Sequence, residues 1–287
     1  MKKKYFLLIL LFIGIATNLN AQTWIQIGAD IDGEAAGDCS GNSVSLSADG
    51  SVMAVGACYN EANGYRSGHV RVYKNNAGTW TQIGSDIRGK DSRDQFGNSV
   101  CLSDDGSIIA IGAPEEYGKA GYVQVYQNIA GVWTQVGNDI YGGVNDSFGY
   151  SVSLSSDGSI LAIGAIYNSV YAGQVKIYEN DAGTWSQIGE SITGEAGGDY
   201  SCRSISLNSD GSIILIGARN NDGGGSNSGH ARVYQNVLGT WTQVGQDIDG
   251  EAGDYSVCSD SGSQCAFGGR KVRGCCGVSG FAGRAAR

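Results

Sequence analysis

The sequence has one proline in 287 residues and only two histidines. A chain so poor in proline, yet carrying 47 glycines, is neither a proline-rich linker nor collagen-like, and points to many tight turns. No serine or cysteine nucleophile stands near a base at useful spacing, and no Cys-x-x-Cys pair or phosphate-binding glycine loop occurs. Basic residues are scarce too: between Gln22 and Ser256 there are 11 Lys and Arg against 27 Asp and Glu, a net charge of −16. Such a surface repels phosphate backbones and anionic lipid, so nucleic acid and membrane surfaces are excluded as expected partners.

Long apolar runs are also lacking. The one candidate, Tyr5 to Ile15 behind Lys2, Lys3 and Lys4, is too short to span a bilayer and is followed by small residues at Ala16 and Ala21. Residues 1–21 therefore read as an export signal cleaved after Ala21, and the mature chain as exported, secreted or cell-surface, with no membrane span.

What the sequence does contain is a repeat. WIQIGADI at Trp24 returns at Trp80, Trp133, Trp185 and Trp241, at spacings of 56, 53, 52 and 56 residues. Between successive tryptophans lie SVSLSADGSVMAVGA from Ser43, SVCLSDDGSIIAIGA from Ser99, SVSLSSDGSILAIGA from Ser151 and SISLNSDGSIILIGA from Ser204. Each is followed by a third segment, such as GHVRVYKN from Gly68 or GYVQVYQN from Gly121. All are short, alternate with period two and are rich in β-branched and aromatic residues, so each unit predicts four antiparallel strands. Asp49-Gly50, Asp105-Gly106, Asp157-Gly158 and Asp210-Gly211 join the first two strands, and suit a two-residue hairpin turn with positive φ. The expectation is an all-β chain, a β-propeller of four-stranded blades over residues 22–256. The four full blades with an orphan strand at Trp24–Ile31 read as an incomplete ring. The recurring Trp and the Tyr of the third strand read as packing between blades, and the small Ser positions of the first strand as the side crowded near the axis.

Phe96-Gly97 with Gly112-Ala113-Pro114 is the full form of a pattern that is partial elsewhere, as in Phe148-Gly149 with Gly164-Ala165-Ile166. This pairing resembles the FG-GAP blades of the integrin α-subunit propeller and of secreted bacterial relatives, over Trp24 to about Asp254. The resemblance implies a propeller acting through its loop faces. Many such blades carry a DxDxDG calcium loop, but here the position holds only SADGS, SDDGS, SSDGS or NSDGS, too few oxygens to surround calcium, so neither cofactor nor metal is expected.

Among the remaining chemistry-bearing residues, His69 and His230 share one strand position with Tyr122 and Gln174, as a tolerant exposed site would. Asp38, Asp94, Asp146, Asp199 and Asp254 precede the first strand of each unit and read either as turn-holding carboxylates or as a ring of acids on one face. An Asp49-Gly50 turn would place Cys58 opposite residue 41, which leaves a Cys39–Cys58 disulfide open for an exported chain. After Ser256 the pattern fails: residues 257–287 hold Cys258, Cys265, Cys275 and Cys276 with five basic residues, lack ligand spacing, and read as an aberrant, frameshifted or disordered tail.

These observations name no catalytic residue. The expected function is a non-enzymatic adhesion or protein-binding module whose partner, a protein or a glycan, sits on a loop face. A propeller that binds or cleaves glycans is the alternative, to which only Glu115, Glu116 and Tyr117 lend an acid cluster with an aromatic; a truncated, nonfunctional fragment is the other.

Overall fold

The computed structural model describes residues 25–115 and 118–251, together with two two-residue strands at Ala266–Phe267 and Arg270–Lys271. The export signal, Trp24, Glu116, Tyr117, Asp254 and the tail cysteines lie outside the described residues.

The alternating segments become the strands of four antiparallel sheets. Blade 1 is built of β1 (Ser40–Leu46), β2 (Val52–Ala57), β3 (His69–Asn76), β4 (Thr79–Gln82) and β5 (Ile87–Arg88). Blade 2 is built of β6 (Ser99–Leu102), β7 (Ile108–Ala113), β8 (Ala120–Ile129), β9 (Val132–Gln135) and β10 (Ile140–Val144). Blade 3 has β11 (Phe148–Leu154), β12 (Ile160–Ala165), the short helix α1 (Asn168–Tyr171), β13 (Gln174–Asp181), β14 (Thr184–Gln187) and β15 (Ile192–Thr193). Blade 4 has β16 (Ser201–Leu207), β17 (Ile213–Ala218), β18 (His230–Val237), β19 (Thr240–Gln243) and β20 (Ile248–Asp249). The chain is an all-β propeller array. Its fourth strand is split: β4 and β5 both pair with β3, the Ile83 N–H still donates to Val72 O, and Gly84, Ser85 and Asp86 lie between the two pairings.

The cores lie between blades. Val70, Val72 and Phe96 pack with Ile109 and Ile111 between blades 1 and 2, and equivalent clusters follow between blades 2 and 3 and between 3 and 4. The serines of the first strand reach across the same seams. Ser43 Oγ donates to Gly97 O at 2.6 Å, and Ser45 Oγ accepts from the Leu102 N–H at 2.9 Å. Cys101 stands where other blades have Ser, and its Sγ accepts from the Leu154 N–H at 3.3 Å. Only small side chains fit here, since a Cβ on Gly112 would lie 2.0 Å from the Gly149 carbonyl of the next blade.

The tryptophans work along the outer rim. Trp133, Trp185 and Trp241 each donate the indole N–H to a carbonyl of the preceding blade, at Ile83, Val136 and Ile188 respectively, over 3.0 to 3.1 Å. Trp80 does the same toward Ile27 at 3.0 Å, so the N-terminal segment sits ahead of blade 1, where the fourth strand of a preceding blade would lie. The two ends of the array differ from its interior. Val44 and Leu46 of β1 are 62% and 50% exposed, whereas their equivalents Val100 and Leu102 are each 5% exposed.

Two expected details of the hairpins are corrected. The connection is not a two-residue turn, because Ser47 N–H donates to Val52 O and Gly50 N–H to Ser47 O, making a four-residue loop built on a tight turn. Only its glycine is left-handed, Gly50 at φ 71° and Gly106, Gly158 and Gly211 alike, while each Asp accepts hydrogen bonds instead. Asp49 Oδ1 takes the Ser47 hydroxyl and the Ser51 N–H, and Asp105 and Asp157 repeat this. Asp210 accepts from Ser212 in the same way. The register also differs near the strand start: a bulge between Ser40 and Ser43 pairs Ser40 with Ala57, which brings position 39, and not 41, toward Cys58. No Cys39–Cys58 disulfide forms; Cys39 is exposed at φ 55° while Cys58 is buried.

Candidate functional site

The antiparallel connectivity puts the start of the first strand, the end of the second and the start of the third at one end of every blade. The long loops and the residues before the first strand therefore share one face, opposite the Asp-Gly hairpins. A backbone link recurs there: the N–H of Tyr59, Glu115, Tyr167 and Asn220 donates to the carbonyl of Asp38, Asp94, Asp146 and Asp199 respectively.

The repeated aspartates are buried and hold this face together. Asp38 Oδ2 accepts from the Ala35 N–H at 3.2 Å and from Asn60 Nδ2 at 2.8 Å, and Asp199 is held alike by Ala196 and Asn221. Asp146 accepts the Gly143 and Phe148 N–H groups. They are loop anchors, and among the described residues they form no open ring of acids.

Asp94 in blade 2 has a second task. Its Oδ2 accepts the Lys90 and Asp91 N–H groups and the Tyr122 hydroxyl, the last at 2.7 Å. Its Oδ1 and the Oε2 of Glu115 are both buried without a hydrogen-bond partner. Burial first, and then the nearby Asp94 carboxyl, push Glu115 up to about 7, against the pull of Lys119, whose Nζ lies 3.8 Å from Glu115 Oε1. Glu115 also sits at φ 50°, a left-handed conformation that the equivalent Tyr59, Tyr167 and Asn220 do not adopt. Strain and a perturbed carboxyl thus coincide on one residue, directly after the chain's single proline.

Beside the pair, a shallow pocket of about 420 Å³ is lined by Lys90, Gln135, Gly137, Asn138, Asp139 and Tyr141. Asp139 pairs with Lys90 and accepts from the Tyr141 hydroxyl at 2.8 Å. Burial opposes its charge, but hydrogen bonds from Gln124, Lys90, Gln135 and Tyr141 prevail and hold it at about 2.

The histidines are not exposed as expected. His69 and His230 are 3% and 6% exposed, because Glu34 and Glu195, from the loops ahead of β1 and β16, close over them. Burial pushes both imidazoles below their usual value.

Residue spacing places Asp94 and Glu115 in separate groups, and the signal that joins them is the constant offset from each repeated Asp to the second residue after the Gly-Ala motif. Of the acid cluster Glu115, Glu116 and Tyr117, only Glu115 is among the described residues, and it stands beside Asp94.

No family model matches the chain, and no curated protein matches it; the FG-GAP resemblance is thus carried by its motifs alone, while the propeller is shared with solved structures. A Bacteroides uniformis protein described as a candidate 6-phosphogluconolactonase superposes with a TM-score of 0.52 at 14% identity, over 73% of this chain and 55% of its own. A periplasmic gluconolactonase from Pseudomonas aeruginosa gives 0.52 at 16%, over 78% of this chain and 59% of its own. A second candidate 6-phosphogluconolactonase, from Bacteroides fragilis, gives 0.51 at 16%, over 72% and 54%. The chain spans a little over half the length of these propellers, and at this identity the likeness shows the fold. The expectation of a non-enzymatic adhesion or protein-binding module is corrected by it: the propellers that share this arrangement of blades are described as lactonases, which are enzymes.

Proposed function

We propose that this chain belongs to an exported propeller hydrolase acting on a sugar lactone or a related hydroxylated ester, with Glu115 as its general base and Asp94 as the carboxyl that tunes it. The observation carrying this reading is the buried, strained, donor-poor Glu115–Asp94 pair. A carboxyl near neutrality serves as base and acid in turn. Glu115 takes a proton from water as the water oxygen attacks the lactone carbonyl, and returns it to the ring oxygen as the C–O bond breaks. Lys119 is close enough to offset the charge on the carbonyl oxygen, and the hydroxyl-binding groups around Asp139 suit a sugar. The names of the solved neighbours favour the lactone class, and the periplasmic one favours export, to which the basic-then-apolar N-terminus is also suited. The finer FG-GAP assignment remains part of this proposal, since blade 2, which bears the pair, is the copy with the full motif.

The test is proton release from glucono-δ-lactone by the full chain, corrected for spontaneous hydrolysis. Glu115→Gln should lower the enzymatic rate by about 100-fold or more, the usual contribution of a general base. A wild-type rate equal to that of buffer, or a variant as fast as wild type, would sink the reading.

A further inference from the structure

We propose that Glu34, His69 and Asp86, and again Glu195, His230 and Asp247, form two equivalent sites for a divalent transition-metal cation of the zinc class. In each triad one imidazole nitrogen and one oxygen from each carboxylate lie within 4.8 Å of one another. His69 Nδ1 is 3.8 Å from Glu34 Oε2, and His230 Nδ1 is 3.6 Å from Asp247 Oδ2. Tetrahedral ligands about 2.1 Å from zinc stand about 3.4 Å apart, so a shift of a few tenths of an ångström closes each of these pairs onto an ion.

The observation that points to a ligand is the histidine. Both Nδ1 atoms are buried, face a carboxylate oxygen of their own triad, and have no hydrogen-bond partner. A bare buried nitrogen is costly to leave unmatched, and it recurs at the same strand position in two blades separated by more than a hundred residues. The donor set of one nitrogen and two carboxylate oxygens suits zinc and its neighbours, and is unlike the all-oxygen cage of calcium.

An arginine already bridges the acids in each triad. Arg71 pairs with Glu34 through Oε1 and with Asp86 through Oδ1 at 3.0 Å, and Arg232 pairs with Glu195 through Oε1 and with Asp247 at 2.7 Å. In both blades the guanidinium takes the Oε1 oxygen of the glutamate. In blade 4 two carboxylates against one guanidinium leave a net negative charge for a cation to answer, whereas in blade 1 Arg88 reaches Asp86 as well. The other blades serve as internal controls. Blade 2 has Lys90 where Glu34 stands and a Lys90–Asp139 ion pair, so its cation is built in; blade 3 has Gln174 and Ser191 in place of His69 and Asp86. Blade 4 should bind more tightly than blade 1, because Arg88, which reaches Asp86 at 3.2 Å, is replaced at the same ladder position by Asp249.

Titration of the full chain with Zn²⁺ by calorimetry should give two sites per chain, and Co²⁺ should give visible ligand-field bands without the near-ultraviolet thiolate band that the cysteines would produce. His69→Gln and His230→Gln should each remove one site, and the double variant both. Glu34→Gln, which changes a partly exposed side chain and leaves the fold in place, should weaken the blade 1 site by at least about 10-fold, the least that loss of even an outer-shell partner costs. No saturable Zn²⁺ uptake, uptake unchanged in the double variant, or Glu34→Gln without effect would overturn the proposal. The sites are in blades 1 and 4, so this outcome is independent of any activity at Glu115.

Discussion

The indole N–H of Trp133 donates to the carbonyl of Ile83, 3.0 Å away in the preceding blade. The same bond joins Trp185 to Val136 and Trp241 to Ile188, so each blade is stapled to the one before it. The glycine after each acceptor leaves room for the ring: a Cβ on Gly84 would lie 2.8 Å from Gly131 O and 3.1 Å from the Trp133 ring.

Trp133→Phe and Trp133→Ala separate the two parts of that staple. Removing only the N–H should cost about 1 kcal/mol. Removing the partly buried ring as well should cost about 3 kcal/mol, the low end for a large aromatic. Urea denaturation of the two variants checks the difference.

Gly112→Ala should be among the most damaging single methyl additions. Its Cβ would meet the Gly149 carbonyl at 2.0 Å, and backbone of a neighbouring blade cannot swing aside as a side-chain tip does. A loss of about 3 kcal/mol is expected in the same denaturation assay.

Glu115 makes a stability prediction with a definite sign. Its folded pKa is raised from 4.5 to about 7, chiefly by burial, so the folded chain holds a proton that the unfolded chain has lost. Its contribution is complete below 4.5 and is lost as pH rises through about 7. Wild-type stability measured by urea at several pH values should fall across that window more steeply than that of Glu115→Gln.

Asp49 shows the opposite sign. Hydrogen bonds from the Ser51 N–H and the Ser47 hydroxyl hold it at about 2, below its ordinary 3.8. Its contribution is present above 3.8 and is lost as pH falls toward 2. Asp49→Asn should flatten the acid limb of the unfolding profile; an unchanged limb would show that the turn does not use the charge.

The blade could be read from residues alone because its determinants are local. Period-two alternation in SVSLS and IIAIGA chooses strand over helix, the Asp-Gly pair marks the reversal, and Trp at a near-constant interval repeats the unit. The turn type is not fixed by Asp-Gly alone, which also fits a tight turn ending in one left-handed glycine, and Ser47 and Ser51, which accompany the Asp, favour that form by donating to its carboxylate.

Other features depended on which segments come together in space. His69 and His230 look exposed in a tolerant strand position, but the loops carrying Glu34 and Glu195 return over them and remove them from water. Asp94 and Glu115 lie on opposite sides of the β6–β7 hairpin, and meet because its two ends close side by side. Alternation, turns and the repeat are encoded within a few residues of each other, so the blade is legible in local sequence. The burial of the histidines and the raised pKa of Glu115 depend on surroundings that segments distant in the chain build, so they follow from the packing of the blades.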